Sequence, residues 1–358
     1  MRRPDVDAVV LVGGRGTRLR PLTLSTAKPM LPTAGVPFLE HLLSRIREAG
    51  IDHVVLGTSY KAETFAGYFG DGSGFGLSIE YVVEDSPLGT GGAIRNVAPL
   101  LLGGTTMIFN GDILSGLDVD AMLDTHEDSS ADVTLHLVKV PDARAFGSVP
   151  TGPDGRVQAF LEKTEAPPTN QINAGCYLFR RSVVEAIPPG RVISVERDTF
   201  PSLLSAGARV FGHVDSTYWL DLGTPAAFVK GSADLVTGIA PTGALPGTVG
   251  ASIMLPGASA SSSSAIVGGS TLGRDVHVAS GAVVDSSVVF DDAIIGEGAT
   301  VIRSVIGAGS RVGNGSVISD SVVGDHAEVG AGNELLNGVR IWPGVRLPAR
   351  SVRFSSDS

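Results

Sequence analysis

Residues 9–30, VVLVGGRGTRLRPLTLSTAKPM, concentrate positive charge in a chain whose formal net charge is −10. Gly13, Gly14 and Gly16 follow an aliphatic run, and no acidic residue lies between Gly13 and Met30. Glycines let backbone N–H groups approach a ligand closely and point in one direction, which suits phosphate oxygens. Because arginine and lysine side chains stand beside these glycines, the stretch predicts a site for an anionic ligand.

Two well-known phosphate motifs do not explain this loop. It lacks the GK[ST] ending of a P-loop and the G-x-G-x-x-G of a dinucleotide fold. A simple strand-to-loop turn with solvated arginines is the alternative interpretation. In a parallel α/β sheet, a loop that directly follows a strand lies at the ligand crevice.

The elements that must position this loop are short β-branched runs that alternate with helical patterns. Such alternation predicts a mainly parallel, Rossmann-like sheet covered on both faces. We expect strands over residues 8–12, 54–58, 78–83, 105–109, 133–140, 172–179 and 209–214. We expect helices over residues 38–49, 91–100, 119–126 and 226–235.

The last third of the chain has a different pattern, in which aliphatic residues recur every six residues with two steps of five. A period near six is typical of a hexapeptide β-helix, whose short strands each send one aliphatic side chain inward. With three strands to a coil, this segment predicts roughly five coils. A β-sandwich is the alternative, although unrelated strands would not keep one step for so long. Resemblance to other hexapeptide proteins implies a left-handed helix, an exception to the usual right-handed crossover.

These changes of pattern predict an α/β domain over residues 1–237, a Gly/Pro/Thr-rich linker over 238–248 and a β-helix domain over 249–358. The end coils of a solenoid expose apolar and backbone surface that must be capped or paired. We therefore expect the β-helix domain to mediate assembly into a homo-oligomer.

Composition excludes several classes of protein. With 43% hydrophobic and 18% charged residues, the chain is globular rather than disordered. Its acidic balance argues against non-specific binding to nucleic acid. The one cysteine, Cys176, excludes an internal disulfide framework, fits a reducing compartment and is expected to serve packing. Asp5 and Asp7 interrupt a potential signal peptide and no apolar run could cross a bilayer, so we expect a cytoplasmic protein without membrane association.

GGRGTRLRPL at residues 13–22, followed by AKPM at 27–30, resembles the signature of the sugar-1-phosphate nucleotidyltransferases. Those enzymes join a nucleoside triphosphate to a sugar phosphate and release pyrophosphate, and many carry a C-terminal hexapeptide helix. The resemblance implies that Arg18 and Lys28 bind the triphosphate and stabilise the leaving pyrophosphate; with Asp112 they are the implied catalytic residues. The nucleotide-binding residues that it implies are Leu11, Gly13, Gly14, Gly16, Thr17, Arg18, Lys28, Glu84, Pro87, Gly89, Thr90 and Asp112.

The same resemblance implies a magnesium site made by two aspartates. Asp112 ends the segment FNGD, where Asn-Gly is also compatible with a hairpin turn. Asp221, in YWLDLGTP, matches the second metal aspartate of the family. Mg²⁺ usually takes one or two protein carboxylates and leaves its other positions to phosphate oxygens and water. An aspartate in an apolar stretch is costly to bury without a partner, and a metal ion would be such a partner.

Five further segments resemble segments of the family, and two of them, AFGSV at residues 145–149 and INAGCYLF at 172–179, look like its sugar-pocket segments. EDSPLGTGGA at residues 84–93 resembles the nucleobase loop, although alone it is a turn into a helix. In FLEKT at 160–164, the resemblance implies that Glu162 accepts hydrogen bonds from sugar hydroxyls and that Lys163 binds the sugar phosphate. The two side chains point to opposite sides if the stretch is extended. SVERDTFP at 194–201 also resembles a family segment, with no role assigned to Glu196 or Arg197. The sugar-phosphate-binding residues that the resemblance implies are Gly147, Glu162, Lys163, Asn173, Gly175 and Trp219.

Within the family, PLGTGGA, WLDLGTP and a hexapeptide tail together look most like mannose-1-phosphate guanylyltransferases, which implies GTP and α-D-mannose 1-phosphate as substrates. Glu84 gives an independent hint, since guanine presents N1–H and N2–H₂ side by side and one carboxylate can accept both. An exposed acid on a loop is the alternative for Glu84.

Other functions stay open at this stage. Glucose 1-phosphate with UTP, dTTP or ATP is an alternative within the same chemistry. A regulatory subunit that senses nucleotide sugars without turnover is another, although it would have no chemical need for the whole set of charged residues. An acyltransferase run by the hexapeptide domain would need a catalytic histidine, and its candidates, His277 and His326, lie in polar stretches typical of coil surface.

Overall fold

The structure is a computed structural model that describes residues 2–59, 61–245 and 250–353 of the 358. The chain forms two compact units by its internal contacts. The first comprises the described part of Met1–Gly14 with Leu42–Trp219, and the second comprises Arg15–His41 with the described part of Leu220–Ser358. The glycines at 13 and 14 therefore belong to the first unit, and the basic residues that follow belong to the second.

The first unit is built on a nine-stranded mixed sheet. Its central strand, Val6–Leu11, pairs in parallel with His53–Thr58 and with Thr105–Asn110. Ala8, Val9 and Val10 are fully buried, as expected of a strand covered on both faces. The strand order is Val210–Asp215, Val133–Lys139, Gln171–Arg180, Thr105–Asn110, Val6–Leu11, His53–Thr58 and Ser78–Val83. The short strand Gly147–Ser148 also pairs with Gln171–Arg180, and Leu161–Glu162 pairs with Gly147–Ser148.

The α-helices of the described chain are Phe38–Glu48, Ala62–Phe69, Gly89–Val97, Val119–Asp128, Arg181–Ala186, Phe200–Ser205 and Pro225–Val236. Single turns of 3₁₀ helix lie at Thr17–Leu19, Leu22–Leu24, Lys28–Met30, Ser73–Phe75 and Ala98–Leu100, and a π-helical turn lies at Val195–Thr199. Further short strands are Pro32–Thr33, Val36–Pro37, Ile113–Ser115 and Trp219–Asp221.

The sequence predictions for this part are confirmed to within a few residues, and the sheet is mainly parallel. Two strands depart from that rule: Gln171–Arg180 runs antiparallel to both of its long neighbours, and the short strand Leu161–Glu162 runs antiparallel to Gly147–Ser148. The helix expected over 91–100 begins earlier, at Gly89, and its end tightens into the 3₁₀ turn Ala98–Leu100. Of the predicted linker, residues 238–245 contain neither helix nor strand and residues 246–248 lie outside the described residues. The predicted domain limits stay a prediction.

The second unit contains a parallel β-helix with three sheets, consistent with the left-handed form that the hexapeptide pattern implied. Its buried aliphatic column is continuous from Leu272 to Ile341, which excludes a β-sandwich. The strands of the three sheets are Ser252–Met254, Ser270–Leu272, Val288–Val289, Val305–Ile306, Val322–Val323 and Arg340–Ile341; Ser259–Ala260, His277–Val278, Ile294–Ile295, Arg311–Val312, Glu328–Val329 and Arg346–Leu347; and Ala265–Val267, Val283–Asp285, Thr300–Ile302, Val317–Ser319 and Glu334–Leu335.

The five-residue steps fall at one corner of the coil. Ser286, Arg303 and Asp320 each occupy that corner in the left-handed region, with φ of 47°, 44° and 51°. Where the spacing between inward aliphatic residues across this corner is six, two consecutive corner residues are left-handed, as in the Gly268–Gly269 pair. Three coils use the short corner, so the sequence count of two five-residue steps was wrong; the step ending at Val289 was missed.

A buried serine follows each short corner and satisfies the backbone there. Ser287, Ser304 and Ser321 are at most 2% exposed. The Ser304 hydroxyl donates to the Ile302 carbonyl at 2.7 Å and accepts the Ser321 N–H at 3.1 Å. The corners therefore form a hydrogen-bonded ladder along the β-helix, because a buried backbone N–H needs an acceptor.

Other sequence predictions concern single residues. Cys176 is buried within the strand Gln171–Arg180, and burial raises the pKa of its thiol, so packing is confirmed as its role. His277 and His326 are exposed on the β-helix, as expected of coil surface. No helix among the described residues is both long and apolar enough for a bilayer.

Candidate active site

The glycine loop of the first unit begins where the central strand ends at Leu11. The Val12 N–H donates to the Gly57 carbonyl, and the Ser59 hydroxyl donates to the Gly13 carbonyl at 2.8 Å. A Cβ at Gly13 would lie 2.6 Å from that hydroxyl, whereas a Cβ at Gly14 would meet no atom within 4 Å. The protein therefore requires glycine at 13 for packing, and Gly14 leaves open space for a ligand.

Asp112 lies at the same edge of the sheet. The strand Thr105–Asn110 is parallel to the central strand, and Asn110 is the register partner of Leu11. The Gly111 N–H donates to the Leu11 carbonyl at 3.0 Å, and a Cβ at Gly111 would lie 2.7 Å from that oxygen. The strand after Asp112 is not part of the nine-stranded sheet, so the Asn-Gly pair does not close a hairpin in it. Gly111 instead lets the chain turn tightly and brings Asp112 next to the glycine loop.

The basic segment, residues 15–30, lies in the second unit. Gly16 has a left-handed backbone, with φ of 57°, and precedes the 3₁₀ turn that holds Thr17 and Arg18. The Thr23 hydroxyl donates to the Gly16 carbonyl at 2.8 Å. A side chain at Gly16 would be strained there and would also crowd Thr23 and Lys28. Glycine is thus needed to fold this loop back on itself.

Asp221 lies between the two cations that the sequence analysis selected. Its carboxylate is 4.0 Å from the Arg18 guanidinium and 4.0 Å from the Lys28 ammonium. The side chain of Lys28 is 10% exposed, that of Asp221 is 26% exposed, and that of Arg18 is 66% exposed. The structure therefore brings these three predicted residues together, with Arg18 the most accessible to a ligand.

Gly223 provides the surface on which the Arg18 guanidinium lies. A Cβ at Gly223 would be 2.6 Å from Nη2 and 2.8 Å from Cζ of Arg18. No local sequence signal marks this role of Gly223, which depends on close packing against Arg18. Any side chain there would displace the guanidinium from its place.

The predicted nucleobase loop joins the strand Ser78–Val83 to the helix Gly89–Val97. Glu84 accepts the Leu88 N–H at 3.2 Å, and partial burial raises the pKa of Glu84. Pro87 is exposed in the loop. Gly89 has φ of 71°, and a Cβ there would lie 2.5 Å from the Ile193 carbonyl oxygen, so glycine is required.

Glu196, which had no assigned role, belongs to the same part of the first unit. Its carboxylate accepts the Thr90 hydroxyl at 2.8 Å and the Ser194 hydroxyl at 2.7 Å. Thr90 in turn accepts the Val195 N–H at 2.8 Å. The π-helical turn Val195–Thr199 is thereby connected to the start of the helix Gly89–Val97, which fixes Thr90 in the loop.

The predicted sugar-phosphate pair lies at the end of the strand Leu161–Glu162. Glu162 is the register partner of Gly147, and a Cβ at Gly147 would lie 2.9 Å from the Glu162 carboxylate. Lys163 has φ of 51°, and its ammonium lies 3.3 Å from the Glu162 carboxylate. The stretch is not extended at Lys163, and the left-handed turn there brings both groups to one side.

A bulge in the strand Gln171–Arg180 positions the remaining sugar-pocket residues. Asn173 accepts the Gly175 N–H at 3.0 Å through its side-chain oxygen and donates to the Tyr177 hydroxyl at 2.8 Å. A Cβ at Gly175, where φ is 75°, would lie 2.8 Å from the Asn110 amide nitrogen. The Trp219 indole donates to the Ala174 carbonyl at 3.0 Å. Asn110 thus joins the predicted group, although the sequence analysis did not select it.

The first unit therefore carries Asp112 and the predicted base and sugar residues, and the second carries Arg18, Lys28 and Asp221. Both aspartates are half-buried and offer the hard oxygen donors that Mg²⁺ prefers. Among residues 2–59, 61–245 and 250–353, no group of three or more His, Cys, Asp or Glu side chains could hold a metal ion. Each carboxylate by itself fits an ion that takes one or two protein carboxylates and completes its shell with phosphate oxygens.

Comparisons with known proteins identify two matching families. A family model described as Nucleotidyl transferase matches residues 7–238, and one described as GMPPB C-terminal domain matches residues 248–353. The chain is 60% identical, over all of both chains, to a mannose-1-phosphate guanylyltransferase of Mycobacterium tuberculosis. It is 35% identical to a D-glycero-alpha-D-manno-heptose 1-phosphate guanylyltransferase of Aneurinibacillus thermoaerophilus, over 64% of this chain and 98% of that one.

A solved structure supports the same relationship. HddC from Yersinia pseudotuberculosis, crystallised in complex with GMP-PN, superposes with a TM-score of 0.57 and 29% sequence identity. The match covers 64% of this chain and 99% of HddC. Together with the family model that spans more than half of its length, these similarities show that the chain belongs to the nucleotidyl transferase family.

Proposed function

We propose that this protein is a mannose-1-phosphate guanylyltransferase, which converts GTP and α-D-mannose 1-phosphate into GDP-mannose and pyrophosphate. The observation that carries the proposal is full-length identity of 60% to a relative of that name. The charged residues that the chemistry needs, Arg18, Lys28, Asp112, Lys163 and Asp221, are all present.

The reaction needs no covalent enzyme intermediate and no general base. A phosphate oxygen of the sugar phosphate attacks the α-phosphorus of GTP in line, a new P–O bond forms, and the bond to pyrophosphate breaks. Because a phosphate monoester is already a nucleophile near neutral pH, the protein contributes position and charge. Arg18 and Lys28 stabilise the negative charge on the departing pyrophosphate.

Side chains of the first unit hold the sugar phosphate in this proposal. Lys163 binds its phosphate, Glu162 accepts hydrogen bonds from sugar hydroxyls, and Asn173 contributes its side-chain amide to the same sugar pocket. Gly147 and Gly175 support these groups, since a Cβ at either would meet Glu162 or Asn110. Trp219, held by its bond to the Ala174 carbonyl, forms part of the same pocket.

Asp112 and Asp221 are the residues that would hold Mg²⁺. When bound, the ion would neutralise charge on the phosphate oxygens. Asp221 also stands 4.0 Å from each of Arg18 and Lys28, so its carboxylate orients both cations.

Glu84 is proposed to select guanine. A carboxylate can accept N1–H and N2–H₂ of guanine together, whereas uracil and thymine offer only N3–H. The Glu84 carboxylate lies in the predicted nucleobase loop, where it accepts the Leu88 N–H at 3.2 Å, and this position supports the role. Glu84→Gln should reduce the preference for GTP over dTTP; an unchanged preference would remove Glu84 from the specificity determinants.

A substrate panel with pyrophosphate detection tests the proposed reaction. GTP with mannose 1-phosphate should give the highest kcat/KM, and faster turnover of glucose 1-phosphate with UTP, dTTP or ATP would replace the substrate assignment. Binding of nucleotide sugars with no turnover of any pair would favour a regulatory subunit. Asp112→Asn should lower kcat by about 10²–10³, and wild-type turnover of this variant at saturating Mg²⁺ would exclude its metal role.

Assembly and location follow as parts of the same proposal. The terminal coil of the β-helix presents strand edges that a second copy of the chain could cover, which supports a homo-oligomer. Light scattering of the full chain measures its mass directly. The single buried cysteine is compatible with the reducing cytoplasm, where we place the enzyme.

A further inference from the structure

One face of the β-helix packs against the basic segment within the second unit. Val288, Val305 and Val322 are register partners in three successive coils, and their side chains are at most 2% exposed. They belong to one apolar cluster with Leu19 and Leu22 of the basic segment. These valines therefore form an outward-facing column that covers the segment, separate from the aliphatic residues that fill the coil interior.

Arg340 is the next member of this column. Its register partner is Val322, and its side chain is exposed at the column's end. The Arg340 guanidinium donates through Nη1 to the carbonyl oxygen of Arg20 at 2.7 Å. Arg20 caps the 3₁₀ turn that holds Arg18, since the Arg20 N–H donates to the Thr17 carbonyl. The charged guanidinium of Arg340 therefore binds the backbone carbonyl of the residue two positions after Arg18.

A second polar contact lies on the same side of the segment. The Ser25 hydroxyl donates to one carboxylate oxygen of Asp325 at 2.7 Å, and the other oxygen of Asp325 accepts the Ala308 N–H at 3.0 Å. The β-helix therefore holds the basic segment at both ends of the stretch between Arg20 and Ser25. The Arg18 side chain remains accessible, with 66% exposure.

We propose that Arg340 is a positioning residue for triphosphate binding: by holding the Arg20 carbonyl, it fixes the 3₁₀ turn that presents Arg18 to the nucleotide. The inference rests on the proposed function of Arg18. It assigns the β-helix a role in the reaction itself, in addition to any role in assembly. An arginine suits this task because a charged donor makes a short, strong hydrogen bond to a carbonyl.

Steady-state kinetics of Arg340→Ala on the full chain test the proposal. We expect kcat/KM for GTP to fall about tenfold, because displacement of a positioned group by 1 Å can cost up to 10²-fold. The KM for mannose 1-phosphate should stay within about twofold, since Lys163 and Glu162 belong to the other unit. Arg340→Lys, which keeps a charged donor, should recover most of the lost activity.

Arg346→Ala is the matched control. Arg346 lies in the strand Arg346–Leu347 of the same β-helix, is 78% exposed, and pairs with Glu328 at 3.4 Å. Its removal should leave both kinetic constants and the Tm unchanged. An equal loss in Arg346→Ala, wild-type kinetics for Arg340→Ala, or a loss that Arg340→Lys does not recover would overturn the proposal.

Hydrogen exchange separates this proposal from the proposed function. The amides of Leu19 and Arg20 donate within the 3₁₀ turn, so Arg340→Ala should increase their exchange rates while Arg346→Ala does not. If the wild-type protein fails to turn over GTP and mannose 1-phosphate, the proposed function is wrong, and the exchange result still decides whether Arg340 holds the turn. Unchanged exchange in Arg340→Ala would overturn the proposal whatever the substrate.

Discussion

Gly223→Ala offers a direct test of the role of Arg18, because the added methyl group would occupy the place of its guanidinium. The new Cβ would lie 2.6 Å from Nη2 and 2.8 Å from Cζ of Arg18. Ordinary contact needs about 3.5 Å, so the guanidinium must move by about 1 Å. The φ of Gly223 lies outside the left-handed region, so alanine can adopt the same backbone.

The expected effect is large on activity and small on stability. Displacement of a catalytic group by about 1 Å can cost up to 10²-fold, and complete loss of one preorganised charge about 10²–10³-fold. We therefore expect kcat/KM for GTP to fall by about 10–10² in Gly223→Ala. Because the Arg18 side chain is exposed and can move aside, the free energy of unfolding should change by less than about 0.5 kcal/mol.

The assay is pyrophosphate release combined with thermal unfolding, for the wild type, Gly223→Ala, Arg18→Ala and the double variant. If Gly223 acts through Arg18, Gly223→Ala adds little to the loss in Arg18→Ala, since the two residues are in contact. Gly250→Ala is the control, because a Cβ there meets no atom within 4 Å in the same unit. Additive losses, or normal kinetics for Gly223→Ala, would refute the role assigned to this contact.

Three other predictions follow from single contacts. Burial lowers the pKa of His41 from 6.5 to about 4, so its neutral form contributes stability above pH 6.5 that is lost as the pH falls toward 4. Urea unfolding should show a loss of up to about 3 kcal/mol over this range that is absent in His41→Gln, and equal slopes would contradict the assignment. Gly14→Ala should raise the KM for GTP about tenfold with an unchanged Tm, because only a ligand would meet its methyl group; an unchanged KM would remove Gly14 from the site. Ser304→Ala should cost about 1–3 kcal/mol, since the buried N–H of Ser321 loses its acceptor, whereas exposed Ser280→Ala should cost little; equal effects would argue against the ladder.

Much of the fold could be predicted because its signals are periodic. Residues 8–12, most of which lie in the buried strand Val6–Leu11, are a continuous aliphatic run, and the β-helix repeats its inward aliphatic residues at nearly constant spacing. The same regularity hid one five-residue step. A left-handed residue at the corner, such as Ser286, shortens the spacing by one residue while the next aliphatic side chain still points into the coil. The short corner depends on one residue adopting a left-handed backbone conformation, and residue type alone does not specify that conformation.

The candidate site was predictable where a glycine or a charge stands within a characteristic motif. Arg18, Lys28 and Asp221 were selected in this way, and the structure brings them together. Gly223 was missed as the support of Arg18 because its role depends on a contact between residues far apart in the sequence. Arg340 was missed for the same reason, since a single arginine near the end of a repeat carries no local signal.

The sequence does carry one signal for the face of the β-helix that packs against the basic segment. Paired aliphatic residues occur at Val288–Val289, Val305–Ile306 and Val322–Val323. In each pair, one side chain fills the coil and the other joins the outward column. A doubled aliphatic position in successive repeats indicates a face that is buried on both sides, as in strands covered by two layers.

The outward column also restricts where the β-helix can gain or lose a coil. Val288, Val305, Val322 and Arg340 are register partners at consecutive coils, and each occupies a fixed height beside the basic segment. Insertion or deletion of one whole coil before Arg340 would preserve every strand pairing of the solenoid, yet it would exchange the arginine for another residue at that height. A coil gained or lost after residue 341 would leave this column in place.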